Sequence, residues 1–198
     1  MRFTYFILTN LLVILFTITV FADEQNSKNQ TDMQAMMEAY KKLAMPGEPH
    51  KLFSSLAGSW TTHNKEWMEP GKPPKETTGS AEMKMLLGGR FLQQEFTGEM
   101  MGAPFSGIGI DAYDNLRKKY VTVWMDTSGT GIFIMEGDAS ADGKTITLNG
   151  QHQMPGGGHM SHRAVWTIVD SNKHIFVMYG THPGEKEKKV MEVTYTRN

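Results

Sequence analysis

The 198-residue sequence contains no cysteine, which excludes disulfide bonds and the attachment of a lipid to a cysteine after the N-terminal apolar run. A domain of this kind is held together by packing alone, and about 150 residues suffice to bury the core that this requires. With 39% hydrophobic and 21% charged residues, the composition indicates a single soluble globular domain with a short extension.

The sequence has no excess of positive charge, because it contains 20 Lys and Arg residues and 21 Asp and Glu residues, which give a formal net charge of −1. Domains that bind nucleic acids usually carry a basic patch or stripe that neutralises phosphates. The sequence shows no such pattern, and a nucleic-acid partner is therefore not expected.

Residues 1–22 are predicted to be a secretory signal peptide, which is removed from the mature protein. Arg2 supplies a positive charge, residues 11–21 form an apolar run, and residues 20–22 resemble a cleavage site directly before two acidic residues. The alternative is a membrane anchor, because residues 3–22 are almost long enough to span a bilayer. Once the signal is cleaved no integral membrane span remains, and the protein is expected to be periplasmic or secreted.

A polar segment at residues 23–30 is predicted to link the signal peptide to two helices within residues 31–57. The first helix begins at Thr31, which forms a T-x-x-Q capping box with Gln34. Its apolar side chains follow helical spacing and form one stripe, made of Met33, Met36, Met37, Tyr40, Leu43 and Ala44. We expect this stripe to pack on the main domain. The alternative is that it binds a partner, because methionine side chains adapt to varied surfaces.

The second predicted helix covers residues 49–57. Pro49 suits the first helical position, and Gly58 suits the position where a helix stops. Leu52, Phe53 and Leu56 share one face, which predicts a short helix with a buried side.

Residues 58–198 are predicted to form an all-β domain. Turn signals separate ten candidate strands, and the short links between them favour antiparallel neighbours. No segment between strands is long enough for a crossover helix, so a parallel sheet is not expected. The candidate strands are residues 60–68, 77–86, 90–98, 105–111, 119–126, 131–138, 145–154, 162–169, 174–180 and 188–197.

Two of these strands show a period-2 alternation in which one face mixes apolar and polar side chains. The core of a β-sandwich would be drier, whereas a closed barrel with a lined interior accounts for a mixed face. We therefore predict a single antiparallel β-barrel of about ten strands, able to hold one small ligand. The mixed faces consist of Tyr120, Thr122, Trp124 and Asp126 in one strand and His162, Ala164, Trp166 and Ile168 in the other.

Several short motifs resemble those of the bacterial family known as domain of unknown function 1579, whose members are lipocalin-like (calycin) barrels. Each motif is weak alone, but as a set they are specific and run from about residue 36 to residue 197. They are AMPGEPHKL at 44–52, LAGSW at 56–60, LGGRFL at 87–92, PFSGIG at 104–109, YD at 113–114, WMDT at 124–127 and MEVTY at 191–195.

The resemblance implies a structural role for two residues at the ends of the barrel sequence. In calycin barrels the tryptophan of the G-x-W motif lies across the closed end, and a terminal arginine packs on it. Trp60 and Arg197 match these positions, and such a cation–π contact is worth roughly 0.5–2 kcal/mol. The family supplies no established activity, so it implies no catalytic residue.

The candidate ligand-binding residues are polar or aromatic side chains expected at the barrel interior or rim. Arg90 follows a Gly-Gly turn and could bind a carboxylate in bidentate fashion, and the alternative is that it pairs with Glu95, Glu99 or a backbone carbonyl. Asp126 and Glu136 are two carboxylates that could perform acid–base chemistry if burial raised one pKa. The full candidate set is Arg90, Trp124, Asp126, Glu136, His152, His162 and Trp166.

The segment MPGGGHMSHR at residues 154–163 is predicted to link the seventh and eighth strands. Imidazole and thioether groups suit copper, and imidazole also binds haem iron, so His152, His159 and His162 form an alternative metal or haem site. The glycine run is not a phosphate-binding loop, because it lacks a lysine and does not open a helix. We expect a turn, and what matters is whether His152 and His162 face the interior.

Together these observations predict an exported barrel that binds a small, largely apolar ligand and catalyses no reaction. No cofactor is expected, and the sequence leaves the oligomeric state open. The alternatives are periplasmic copper or haem binding through His152, His159 or His162, and an enzyme that uses buried carboxylates, namely Asp126, Glu136 or Glu192.

Overall fold

The computed structural model describes residues 28–69 and 71–198. The chain divides into two compact units, Met1–Met45 and Pro46–Asn198, and each is described by itself. The predicted signal peptide at residues 1–22 lies outside the described residues, as does the first part of the predicted linker. Among the described residues, no helix combines the length and apolar character needed to cross a membrane.

The first unit contains helix α1, which covers residues 28–43. Residues 28–30, which the sequence assigns to the linker, are helical. Lys and Gln are good helix formers, so the polar character of this stretch does not prevent helix formation. Met33, Met36 and Tyr40 are exposed, and whether their stripe packs on the main domain or binds a partner stays a prediction.

The second unit consists of one short helix followed by ten strands. Helix α2 is Glu48–Leu56, within one residue of the prediction. The strands are β1 Gly58–Glu66, β2 Lys75–Leu86, β3 Phe91–Met100, β4 Ala103–Asp114, β5 Lys119–Asp126, β6 Phe133–Ala139, β7 Thr145–Gln153, β8 His159–Asp170, β9 Lys173–Thr181 and β10 Lys188–Arg197.

The ten strands form one closed barrel in which every strand is antiparallel to its neighbours in the chain. Closure occurs between β1 and β10, where Trp60 lies opposite Arg197 and Glu66 lies opposite Met191. A closed barrel has no edge strand that could pair with another molecule. The predicted fold class is therefore confirmed.

The mixed faces predicted for β5 and β8 are the inner faces of the barrel. Thr122, Trp124 and Asp126 in β5 line the interior, and so do His162 and Trp166 in β8. Because successive side chains in a strand point to opposite faces, the intervening residues lie on the outside. The alternation thus predicted which residues share the interior.

Helix α2 packs against one end of the barrel interior. Phe53 and Leu56 are each only 1% exposed. The Phe53 ring lies 5.9 Å from that of Tyr120 and 6.4 Å from that of Trp166, measured between centroids. This apolar contact explains why the short helix forms where it does, since isolated helices of this length are marginal in water.

Trp60 lies fully buried at the same end, beneath Arg197. Its indole Nε1 donates a hydrogen bond to the Leu56 carbonyl oxygen at 2.9 Å. The Arg197 guanidinium lies 4.2 Å from the indole ring centroid and donates to the carbonyl oxygens of Ser55 and Ala57. The arginine–tryptophan contact implied by the family resemblance is therefore present, and it ties β10 to α2.

Gly137 in β6 tests how tightly the strands are packed. It is buried, and a Cβ atom there would overlap the carbonyl oxygen of Thr147 in β7. A backbone oxygen held in a strand ladder has little freedom to move, so Gly137→Ala is expected to cost about 1–3 kcal/mol of unfolding free energy. Urea titration would measure the change. Gly131→Ala, where no atom lies within 4 Å, is the matched control, and equal losses in the two variants would contradict the register.

Candidate ligand-binding cavity

The barrel interior contains a cavity of about 420 Å³. Most of its lining is aromatic or thioether, supplied by inward side chains of β3 to β6 and β8 to β10. The aromatic carbocycles and indoles are Phe96, Phe105, Trp124, Phe133, Trp166, Phe176 and Tyr195. Because the sheet closes on itself, the barrel wall surrounds this apolar surface on all sides.

The cavity floor is the part of the lining nearest Trp60, formed by Gln94, Asp111, Thr122, His174 and Tyr195. The His174 ring stacks on the Tyr195 ring with centroids 4.1 Å apart and meets the Trp60 ring at 4.5 Å. One group of polar side chains of the cavity therefore lies at its closed end.

His174 is a neutral imidazole. Its Nδ1 accepts a hydrogen bond from the Trp166 indole Nε1 at 3.0 Å. Burial, and to a smaller extent the positive charge of Arg197, lower the pKa of His174 to about 3. A nitrogen that accepts from an indole carries no proton, so the geometry and the pKa agree on the neutral form.

Asp111 is the carboxylate of the floor and is 7% exposed. Its Oδ1 accepts a hydrogen bond from the Thr122 hydroxyl at 2.6 Å. Burial raises the pKa of Asp111 to about 6, although the Thr122 hydrogen bond acts in the opposite direction. The Gln94 amide donates to the neighbouring Tyr195 hydroxyl at 3.2 Å, and burial raises the pKa of that phenol.

The cavity rim is the opposite end, formed by Asp126, Ser128, Phe133, His152 and His162. Asp126 Oδ2 accepts from the Trp124 indole at 2.7 Å, and Oδ1 accepts from the Ser128 backbone amide at 2.8 Å and from the Ser128 hydroxyl. Burial opposes ionisation of Asp126, but these hydrogen bonds outweigh it and lower its pKa. Asp126 is thus a well-paired carboxylate that positions Trp124.

Both imidazoles of the predicted histidine pair line the cavity. His152 Nδ1 and His162 Nε2 lie 2.9 Å apart, and Phe133 contacts both rings. Burial lowers the pKa of His162, and the nearby charges of His152 and His182 lower it further. The glycines between the two strands therefore form a turn that brings the imidazoles together at the rim.

His159 does not join this pair, because it is exposed at the first position of β8. Across the described part of the chain, no group of three or more His, Cys, Asp or Glu side chains is placed to hold a metal ion. Copper or haem binding would therefore depend on the imidazoles of His152 and His162, and it stays a prediction.

Two of the predicted ligand-binding residues, Arg90 and Glu136, do not line the cavity. Arg90 lies after the β2–β3 turn and donates to the Leu87 carbonyl oxygen at 2.9 Å. Glu136 lies on the outer face, because its neighbour Met135 points inward, and it pairs with Arg117 at 2.5 Å. By contrast, Trp124, Asp126, His152, His162 and Trp166 all line the cavity.

Sequence reasoning missed the floor residues Asp111 and His174. Asp111 was placed at the end of a predicted strand, whereas β4 continues to Asp114. Extending the period-2 pattern from Gly107 and Gly109 would have placed Asp111 inside the barrel. His174 likewise shares a face with Phe176, which was a usable signal.

A closed antiparallel barrel with one end sealed by a G-x-W tryptophan and a cavity inside defines the class of calycin-like barrels. Within that class, the chain belongs to the family of proteins of unknown function DUF1579, whose sequence profile matches residues 45–197. The resemblance drawn from the sequence motifs is therefore confirmed. No curated protein matches the chain.

Among solved structures, the chain is similar to Rv2717c from M. tuberculosis, with 17% identity and a TM-score of 0.56. The match covers 78% of this chain and 99% of that chain. At this level of identity the likeness shows the fold alone.

Weaker likenesses involve other barrels. A de novo designed fluorescence-activating β-barrel is 11% identical with a TM-score of 0.42, covering 73% of this chain and 95% of that one. The protein EF1p2_mFAP2b, solved bound to DFHBI, is 8% identical with a TM-score of 0.42. The match covers 76% of this chain and 100% of that one.

Proposed function

We propose that the protein binds a small, largely apolar molecule inside the barrel and catalyses no reaction on it. The observation that carries this proposal is the cavity of about 420 Å³ between aromatic and methionine side chains. Sites for small molecules have volumes of about 300–1,000 Å³ and are mostly apolar with a few polar groups. The cavity fits this description, because its polar side chains are confined to the floor and the rim.

The three carboxylates that the sequence offers for an enzyme, Asp126, Glu136 and Glu192, give little support to that alternative. Glu136 and Glu192 do not line the cavity and form ion pairs with Arg117 and Lys189. Asp126 has a lowered pKa and accepts hydrogen bonds with both oxygens, which does not suit a proton donor or a general base. These contacts support binding as the function.

Filling the cavity is expected to abolish binding. Val193 is 5% exposed and points inward from β10, so Val193→Phe adds an aromatic ring to the space that the ligand would occupy. We expect the affinity for the uncharged dye Nile red, followed by fluorescence, to fall at least tenfold. A thermal melt would verify that the variant is folded.

The control is Val177→Phe on β9, which makes the same substitution on the outer face and leaves the cavity unchanged. Nile red binding should match that of the wild type in this variant. Absence of dye binding by the wild type, or equal binding by Val193→Phe, would refute the proposal.

We also propose that the protein is exported. The apolar run and the cleavage-like triplet within residues 1–22 support this proposal.

A further inference from the structure

We infer that the preferred ligand of the cavity is an organic cation, such as a protonated amine with an apolar tail, whose charged group is held by Asp111 at the cavity floor. This inference rests on the proposed function, since it names the chemical class of the molecule bound at that site.

The carboxylates of the lining favour a cationic ligand. Asp111 and Asp126 line the cavity, whereas no described lining residue is a lysine or arginine. Asp126 already accepts hydrogen bonds on both oxygens at the rim, while the structure gives Asp111 one, from Thr122. The remaining oxygen of Asp111 is therefore the acidic group left to face a ligand.

The neighbours of Asp111 offer no positive charge. Thr122 and Tyr195 are uncharged, and the Tyr195 hydroxyl accepts a hydrogen bond from the Gln94 amide. His174 is the basic side chain of the floor, but it is neutral because its Nδ1 accepts from Trp166. The histidines at the rim, His152 and His162, lie at the other end of the barrel.

An ionised carboxylate at 7% exposure without a paired cation is costly. This cost is what raises the pKa of Asp111 to about 6, yet above pH 6 the group still ionises. A ligand cation would remove the cost by pairing with the carboxylate, and the aromatic rings of Trp166 and Tyr195 would add cation–π attraction. An anionic ligand would instead bring a second negative charge into the same enclosed space.

The test is displacement of Nile red by three compounds with the same eight-carbon chain, octylamine, 1-octanol and octanoate, at pH 7.5. We expect octylamine to displace the dye at a concentration at least tenfold lower than octanoate, with 1-octanol between them. In Asp111→Asn, the advantage of octylamine over 1-octanol should fall at least fivefold, while displacement by 1-octanol stays unchanged. The asparagine oxygen can still accept from Thr122, so the variant is expected to fold.

The control is Asp138→Asn, which removes the same charge from an outward side chain that pairs with Lys119. It should keep the octylamine preference of the wild type. Equal displacement by the three compounds, a preference for octanoate, or an unchanged preference in Asp111→Asn would overturn the inference while leaving the proposed function in place. Failure of the wild type to bind Nile red would instead overturn the proposed function.

Discussion

Trp60→Ala is expected to lower the free energy of unfolding by about 3–5 kcal/mol, the range typical of removing a large buried aromatic side chain. Trp60 has no exposed surface, and its ring fills the space between the His174 ring and the Arg197 guanidinium. The substitution leaves a cavity at the closed end and removes the hydrogen bond to the Leu56 carbonyl oxygen.

Chemical denaturation followed by far-UV circular dichroism would measure this loss. Trp67→Ala is the matched control, because Trp67 is partly exposed and also carries a cation over its ring, with Lys189 Nζ at 4.6 Å from the centroid. Trp67→Ala should lower the free energy of unfolding by about 1 kcal/mol or less. A denaturation midpoint in Trp60→Ala equal to that of the wild type would show that the indole does not seal the barrel.

The fold was predictable because a barrel repeats one simple rule along the whole chain. Inward and outward side chains alternate, and short turns join neighbouring strands, so the pattern in β5 and β8 was enough to separate the two faces. The contact between Trp60 and Arg197 was also predictable, since both residues lie in motifs at fixed ends of the barrel sequence.

The site was less predictable, because alternation fixes a face only when the register is known. Glu136 was assigned to the interior, but its inward neighbours are Met135 and Gly137. A shift of one residue moves every side chain of a strand to the other face. Asp111 was missed for a different reason: the predicted strand ended at Asp111, so the alternation of Gly107 and Gly109 was not followed to it, whereas β4 continues to Asp114.

The two titrating groups of the cavity floor are expected to act on stability in opposite directions between pH 6.5 and pH 4. His174 has a pKa of about 3 in the folded state, against an ordinary value of 6.5. The unfolded chain therefore binds a proton that the folded protein rejects, and acidification to pH 4 costs about 3 kcal/mol of stability.

Asp111 changes the stability on acidification in the opposite direction. Its folded pKa of about 6 lies above the ordinary value of 3.8, so the folded protein takes up a proton before the unfolded chain does. Through Asp111, acidification from pH 6.5 to pH 4 therefore raises the free energy of unfolding by about 2–3 kcal/mol. The two effects nearly cancel in the wild type, which hides both of them from a simple pH titration of stability.

Replacing either group should reveal the pH dependence of stability that the other group causes. On going from pH 6.5 to pH 4, Asp111→Asn is expected to lose about 2–3 kcal/mol more stability than the wild type, because the gain from Asp111 is absent. His174→Gln, whose side-chain oxygen can still accept from the Trp166 indole, should lose about 3 kcal/mol less than the wild type.

Urea denaturation at the two pH values measures these differences, with Asp138→Asn and His159→Gln as exposed controls. Because each variant is compared with itself at two pH values, a constant destabilisation from the substitution drops out. Parallel pH profiles for all five proteins would show that the cavity floor does not hold a neutral imidazole beside a carboxylate without a counter-ion.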